Sequence, residues 1–295
     1  MAKTVERFTG VRVVENFKSV DELFANGKVS IEAFNAQEKW YPNLCLVLKS
    51  SGNQSALAKV SSDGKSVYLI KKQRDFFDIR PKNKEQQFLF DLLDNERVRV
   101  LTITGRAGTG KSLLVGAWLV EQLTTNKIGK IVISKPMEIV GGSSSRYWGT
   151  MPGDKNEKFE PFLLNFKYLF EKLSGEKGAT YFDMMVGRGS IEFMPLELLR
   201  GVSFPGNTAV WLDETQNVDT HVLKTLGTRI GDDCRLIISG DYNQVDNRAK
   251  DFKPGLLQVI ESEVFKKSSI TGHLHLLKCE RGPVAELFGE IFEDE

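Results

Sequence analysis

Of 295 residues, three are cysteine, three histidine and four tryptophan. Cys45, Cys234 and Cys279 stand at no metal-ligand spacing, which excludes a zinc cluster of the usual kinds and a disulfide framework. Buried free thiols in a reducing compartment are expected. His273 and His275 alternate along a short apolar run, and surface positions are expected for them rather than metal ligation. No run of about 18 apolar residues exists, and the N-terminus lacks the apolar core of a signal peptide. A cytoplasmic protein with no membrane partner is therefore expected. Net charge is only +1, so no global field draws the chain to nucleic acid, and any polyanion site must be a local patch. No internal repeat or low-complexity tract is present. With 41% apolar and 27% charged residues, the chain has the composition of an ordinary globular protein of one large or two modest domains.

The stretch VRVLTITGRAGTGKS, residues 98–112, stands out. An apolar run, Val98 to Ile103, predicts a buried strand. It leads into Gly105-Arg106-Ala107-Gly108-Thr109-Gly110-Lys111-Ser112, and Leu113 to Leu123 follows with a helical pattern. This is the G-x-x-x-x-G-K-[ST] phosphate loop in its required strand-to-helix context. The glycines permit a tight turn whose N–H groups face phosphate oxygens, and the helix start adds a positive dipole end. In such loops the lysine, here Lys111, reaches the β- and γ-phosphates, and the hydroxyl of Ser112 ligates Mg²⁺. ATP and Mg²⁺ are the expected cofactors.

Residues 1–75 read differently. Short β-rich runs, Val11 to Val14, Leu44 to Lys49, Ala56 to Val60 and Ser66 to Lys71, are separated by turn signals, with Asp63-Gly64 marking a hairpin. A small β-rich domain of linker type, of the kind that makes partly open barrels, is expected there. Residues 71–84 carry six Lys or Arg and two Phe. They read equally as a polyphosphate contact with stacking groups or as a solvated linker over Phe76 and Phe77. A helix is expected to open at Asn83 and run through Leu93. In helicase-like ATPases a glutamine at this point reads the adenine edge, and Gln86 has that placement.

From residue 76 to 295, strand and helix patterns alternate. Strands are expected at Ile128 to Ser134, Ile191 to Met194, Thr208 to Leu212, Leu236 to Ser239 and Leu274 to Leu277. Helices are expected at Glu157 to Leu173, Asp219 to Thr228 and Gly255 to Phe265. The fold class expected is α/β: a RecA-like P-loop NTPase with a parallel sheet flanked by helices, binding its ligand at the carboxyl ends of the strands. The Gly- and Ser-rich stretch 137–151 includes Arg146, Tyr147 and Trp148. A basic residue beside two aromatics suits stacking with a single strand, and a plain flexible insertion is the competing reading.

Two further motifs follow. Thr208 to Leu212 ends in Asp213-Glu214, the paired acids of P-loop ATPases. There the first holds Mg²⁺ and the second acts as general base or orients water. Leu236 to Ile238 leads into Ser239-Gly240-Asp241-Tyr242-Asn243-Gln244, similar to the γ-phosphate sensor of superfamily 1 helicases, with Gln244 as the sensing amide. Arg200, Arg229 and Arg281 are the candidates for a guanidinium on the developing charge, acting within one subunit or across an interface.

In these motifs the chain closely resembles the PhoH-like ATPases, relatives of superfamily 1 helicases with a single RecA-like core. The likeness covers about residues 75–290. It rests on Arg80-Pro81-Lys82-Asn83-Lys84-Glu85-Gln86, the phosphate loop, Met151-Pro152-Gly153-Asp154 with Glu157-Lys158, Arg200-Gly201, Asp213 to Asn217, Gly240-Asp241 with Gln244 and Asp246, and Glu280-Arg281. Departures are Lys135-Pro136 for the usual Arg-Pro, Thr215 for alanine, Val202 for a second arginine and Gly282 for serine. The resemblance implies an ATPase and a homo-oligomer, a hexameric ring. The ~75 residues ahead of the core resemble the linker module of members fused to a PIN-type nuclease, at Tyr41-Pro42-Asn43 and Ser55 to Ala58. They are too few for the nuclease itself. Compact versions of this kind also occur in bacteriophages.

Three functions fit to different degrees. An ATP-hydrolysing, helicase-like motor acting on RNA or single-stranded DNA rests on the three ordered motifs. A nucleotide-dependent binding or assembly factor with little turnover fits the modest charge. A small-molecule kinase is disfavoured by Glu214 and Gln244.

Overall fold

The structure is a computed structural model. It describes residues 7–52, 54–71, 75–136, 164, 166–168, 170–172, 175, 178–199, 201–204, 206–245 and 253–280. The predicted positions Arg146, Tyr147, Trp148, Met151 to Asp154, Glu157, Lys158, Arg200, Asp246, Arg281 and Gly282 lie outside these residues.

The N-terminal region forms a five-stranded sheet of order β1-β3-β4-β5-β2. Its strands are β1 (Val11–Val14), β2 (Lys28–Ser30), β3 (Cys45–Lys49), β4 (Ser55–Val60) and β5 (Ser66–Leu69), with helix α1 (Val20–Asn26) after β1. The sheet is open, with β1 and β2 at its edges, where a partly closed barrel was one expectation. α1 and β2 are not legible in the sequence pattern, because a seven-residue helix and a three-residue strand are too short to show a period. The Asp63-Gly64 turn joins antiparallel β4 and β5 as expected, with Gly64 at φ +72°.

Six parallel strands build the second sheet, ordered β11-β6-β10-β9-β7-β8. They are β6 (Val100–Gly105), β7 (Lys130–Lys135), β8 (Ile191–Pro195), β9 (Thr208–Leu212), β10 (Arg235–Gly240) and β11 (Thr271–Leu276). Helices α2 (Lys84–Asp94) and α3 (Lys111–Thr124) accompany them, with further helices at Gly178–Gly187, Thr220–Gly227, Gly255–Glu261 and Glu263–Lys267. The described residues between 164 and 172 are helical, within the helix expected at Glu157 to Leu173. The single helix expected from Gly255 to Phe265 is two, broken at Ser262, whose hydroxyl caps the second through Phe265 N.

Alternation along the strands explains why both faces are covered. Ile131, Ile133, Ala209, Trp211 and Ile237 enter one core with α2, α3 and Phe182. Val132, Val210, Leu212, Leu236 and Ile238 enter the other with Leu223, Leu226, Leu256 and Ile260. A strand buried on both faces has no solvent side, so its sequence is nearly continuous in apolar residues.

This geometry corrects the expectation for two histidines. His273 and His275 are buried, paired through Nδ1 with Thr102 Oγ1 at 2.8 Å and Thr104 Oγ1 at 2.9 Å on neighbouring β6. Period-two polar residues suggested a wet face; here they form a buried polar ladder. Burial is the main cause that lowers the pKa of His273, to about 3.

The two sheets share structure. Cys45, Val47 and Ile70 pack into the same core as α2. Thr9 O accepts from His275 N at 2.9 Å and Gly10 O accepts from Cys45 N at 3.0 Å, so one short segment bonds both sheets. Gly10 is at φ +74°, and a Cβ there would lie 1.9 Å from His273 O, so only glycine fits. At the far end of the main sheet, buried Arg235 donates to the carbonyls of Leu92 and Leu93, which end α2, at 2.7 and 2.6 Å. Its guanidinium lies 4.6 Å from the Trp118 ring centroid. Phe76 is fully buried against Phe90, and Phe77 packs partly buried on the same core. Phe76 and Phe77 are therefore turned into the protein, and the stacking reading fails for Phe76. Among the described residues no helix is long and apolar enough to cross a membrane.

Candidate functional site

The phosphate loop connects β6 to α3, as its sequence context predicts. Gly105, Gly108 and Gly110 have φ of +148°, +87° and +97°. A Cβ on Gly105 would lie 2.5 Å from Leu276 O of β11, so close strand approach as well as turn geometry requires glycine.

Three successive loop carbonyls are held by other parts of the chain. Cys279 Sγ is 3.7 Å from Ala107 O, Glu280 N donates to Gly108 O at 3.0 Å, and Gln86 Nε2 donates to Thr109 O at 3.0 Å. In a planar trans peptide, N–H and C=O point oppositely. Pinning these carbonyls therefore turns the N–H groups of Gly108, Thr109 and Gly110 away from the three partners; Thr109 N donates to Arg106 O at 3.4 Å, and those of Gly108 and Gly110 are turned in a way suited to an anion. Lys111 is buried, and its ammonium donates to the carbonyls of Gly105 and Arg106, the second at 2.9 Å. Ser112 is exposed in the first turn of α3 and Leu113 is half-buried.

Gln86 is buried, and its amide is used at both ends: Oε1 accepts from Lys82 N at 2.8 Å while Nε2 holds Thr109 O. It braces the loop rather than pointing into solvent. Asn83 caps α2 by accepting from Gln86 N at 2.9 Å and donates to Glu280 Oε1 at 2.7 Å. The predicted start of α2 and the Glu280 motif thus meet on one side of the loop.

Asp213 and Glu214 end β9, two strands from β6 with β10 between them. Asp213 is 1% exposed. Its Oδ1 accepts from Ser239 Oγ at 2.7 Å, and its Oδ2 lies 3.0 Å from Lys135 Nζ, out of hydrogen-bond alignment. Glu214 is exposed and adopts φ +56°, ψ +43°, a left-handed conformation that costs free energy for a residue with a Cβ. Its Oε2 accepts from Gln216 Nε2 at 3.1 Å. Gln216 Oε1 accepts from Asp241 N at 3.2 Å, so one buried amide links the acid pair to the turn after β10. Thr215, noted as a departure from alanine, donates to Ser239 O at 3.0 Å and makes a second such link.

Within that turn, Asp241 Oδ1 accepts from Asn243 N at 3.1 Å and Gln244 N donates to Asp241 O at 2.9 Å; Gln244 itself is exposed. Tyr242 stacks on His275, centroids 5.0 Å apart, with its hydroxyl 3.3 Å from His275 Nε2. Because His275 also bonds Thr104, the turn is tied to the residue just ahead of Gly105. Burial lowers the pKa of His275, opposed by the charge of Asp241. Arg229 is exposed beyond the helix Thr220–Gly227, and no contact among the described residues brings it to this cluster.

Sequence reasoning missed Gln216, Ser239, Lys135 and Cys279 as members of the site. Gln216 and Ser239 carried a signal as neighbours of the two acidic motifs, Lys135 as the lysine standing for arginine before Pro136, and Cys279 as the neighbour of Glu280.

The sequence profile of the family described as PhoH-like protein matches residues 78–293. The chain belongs to the PhoH-like family. It is 32% identical to "Protein PhoH2" of Bacillus subtilis over 97% of this chain and 67% of that one. It is 31% identical to "Protein PhoH2" of Mycolicibacterium smegmatis over 94% of this chain and 60% of that one. It thus spans about two thirds or less of these relatives' own length. A crystal structure of Pif1 helicase from Candida albicans covers 72% of this chain and 43% of its own, at 16% identity and a TM-score of 0.38, a likeness too slight to argue from. PhoH-like membership and the loop itself mark a P-loop nucleotide-binding protein.

Proposed function

We propose that this protein hydrolyses ATP with Mg²⁺ and couples hydrolysis to RNA or single-stranded DNA, working as a homo-oligomer, a hexameric ring. The observation that carries this reading is the split between the two acids of β9. Asp213 is buried and held by Ser239, while Glu214 is exposed and braced by Gln216. A buried carboxylate suits a metal, and an exposed, oriented one suits a water.

In this reading the loop N–H groups and Lys111 bind the phosphates. Ser112 and Asp213 hold Mg²⁺, a hydroxyl and a carboxylate being the hard oxygen donors this ion prefers. Among the described residues no cluster of three metal-binding side chains exists. Glu214 accepts the proton of the attacking water, which then joins the γ-phosphorus as the bond to ADP breaks. Gln244 senses the γ-phosphate, Gln86 supports the loop on the adenine side, and Arg229 or Arg281 supplies charge to the transition state, from a neighbouring subunit where the ring requires it. Arg146, Tyr147 and Trp148 are proposed to contact the strand. Residues 1–75 are proposed as a linker-type domain and 76–295 as the ATPase domain.

The test is ATP turnover by the purified chain, alone and with single-stranded RNA or DNA. Stimulation by one strand type supports the reading and names the strand. Steady turnover indifferent to both points to a protein partner. No turnover despite tight ATP binding favours a nucleotide-dependent assembly factor.

A further inference from the structure

Asp213 Oδ2 is a buried carboxylate oxygen whose nearest cation is Lys135 Nζ, 3.0 Å away at the carboxyl end of adjacent β7. We propose that Lys135 is the resident counter-ion of Asp213. It keeps this carboxylate closed to free divalent cations until they arrive bound to a nucleotide. The inference rests on the reading above that Asp213 is a metal ligand.

A buried carboxylate with no cation is costly, so the nucleotide-free protein needs a positive charge here. Lys135 supplies it in exchangeable form. The contact lacks hydrogen-bond alignment, and the lysine side chain is 26% exposed against 1% for Asp213, so the ammonium has a path to solvent along its flexible stem. A second oxygen at this strand end, Ser134 Oγ, is also buried without an aligned partner, while Ser134 O accepts from Asp213 N at 2.9 Å. The environment is set for an exchanged partner rather than a fixed one. An ammonium and a divalent cation cannot both sit on Oδ2, because like charges a few ångströms apart repel strongly where water is excluded. Either cation must displace the other, and a free divalent ion has only Asp213 and waters to gain. A nucleotide-bound ion brings the phosphates' contacts to Lys111 and the loop as well. Lysine rather than arginine suits this exchange, since an arginine fork would grip the carboxylate with two bonds.

The test uses Mn²⁺ as a spectroscopic probe of the nucleotide-free chain, with free Mn²⁺ read by electron paramagnetic resonance. Lys135→Met should bind Mn²⁺ about tenfold more tightly than the unmodified protein, an ordinary coupling between two sites. The gain should vanish in Lys135→Met/Asp213→Asn. Unchanged Mn²⁺ affinity in Lys135→Met, or a gain that survives Asp213→Asn, overturns the proposal. Should Lys135→Met not fold, the unmodified protein still decides. Reductive methylation of Lys135, followed by mass spectrometry, should rise with MgADP and not with ADP in chelator. Equal methylation in both overturns the proposal. ADP binding measured on the same samples without metal reports separately on the nucleotide site.

Discussion

Ser239 Oγ donates to Asp213 Oδ1 at 2.7 Å, and the same hydroxyl accepts from Trp211 Nε1 at 2.8 Å. One serine on β10 thus fixes an acid and an indole from β9, all of them buried. Replacing Ser239 by alanine leaves a buried N–H and a carboxylate oxygen short of a partner, which costs about 1–3 kcal/mol. Urea unfolding should show that loss. A change under about 0.5 kcal/mol would mean that the bond contributes nothing net.

Gln216 positions Glu214 from one side and Asp241 N from the other. In Gln216→Ala the glutamate is no longer oriented, while the loop that binds phosphate is untouched. Turnover should fall about tenfold or more, towards the effect of losing a positioned general base, with ADP affinity little changed. Equal losses of turnover and affinity would instead indicate a general structural role.

Lys111→Ala removes the ammonium proposed to reach the phosphates and should abolish ATP binding or nearly so, measured by equilibrium titration. Glu214→Gln should bind ATP normally and hydrolyse it about 10²- to 10⁴-fold more slowly. An unchanged rate in Glu214→Gln removes that residue from the catalytic role.

The buried histidines make stability depend on pH. The pKa of His273 is about 3 in the folded protein, below the ordinary value of 6.5, chiefly through burial, with the charges of His275 and Lys266 acting in the same direction. The neutral form is the folded form, so its contribution is complete above about pH 6.5 and is lost as pH falls from there towards 3. Between pH 6.5 and 5.5 this group alone should cost about 1 kcal/mol of stability, read from urea midpoints. His273→Asn should flatten that slope. An equal slope in the variant would mean that other groups, such as His275 or the carboxylates, set the acid limit.

Some of this protein was decided locally and some only by folding. The phosphate loop, its flanking strand and helix, and the acids ending β9 are legible because their causes are local: glycine's access to positive φ, the two hydrophobic periods and the length of an apolar run. Even there, edges moved. β6 begins at Val100 rather than Val98, and α3 at Lys111 rather than Leu113. What only the tertiary structure decided are the contacts between distant segments. Cys279 reaches Ala107 across 172 positions, Gln86 braces Thr109 across 23, and Lys135 meets Asp213 because β7 and β9 are neighbours in the sheet. The histidines illustrate the reason most directly. Alternation says which residues share a face, but only the packing of Phe8 and Tyr242 onto that face makes it dry.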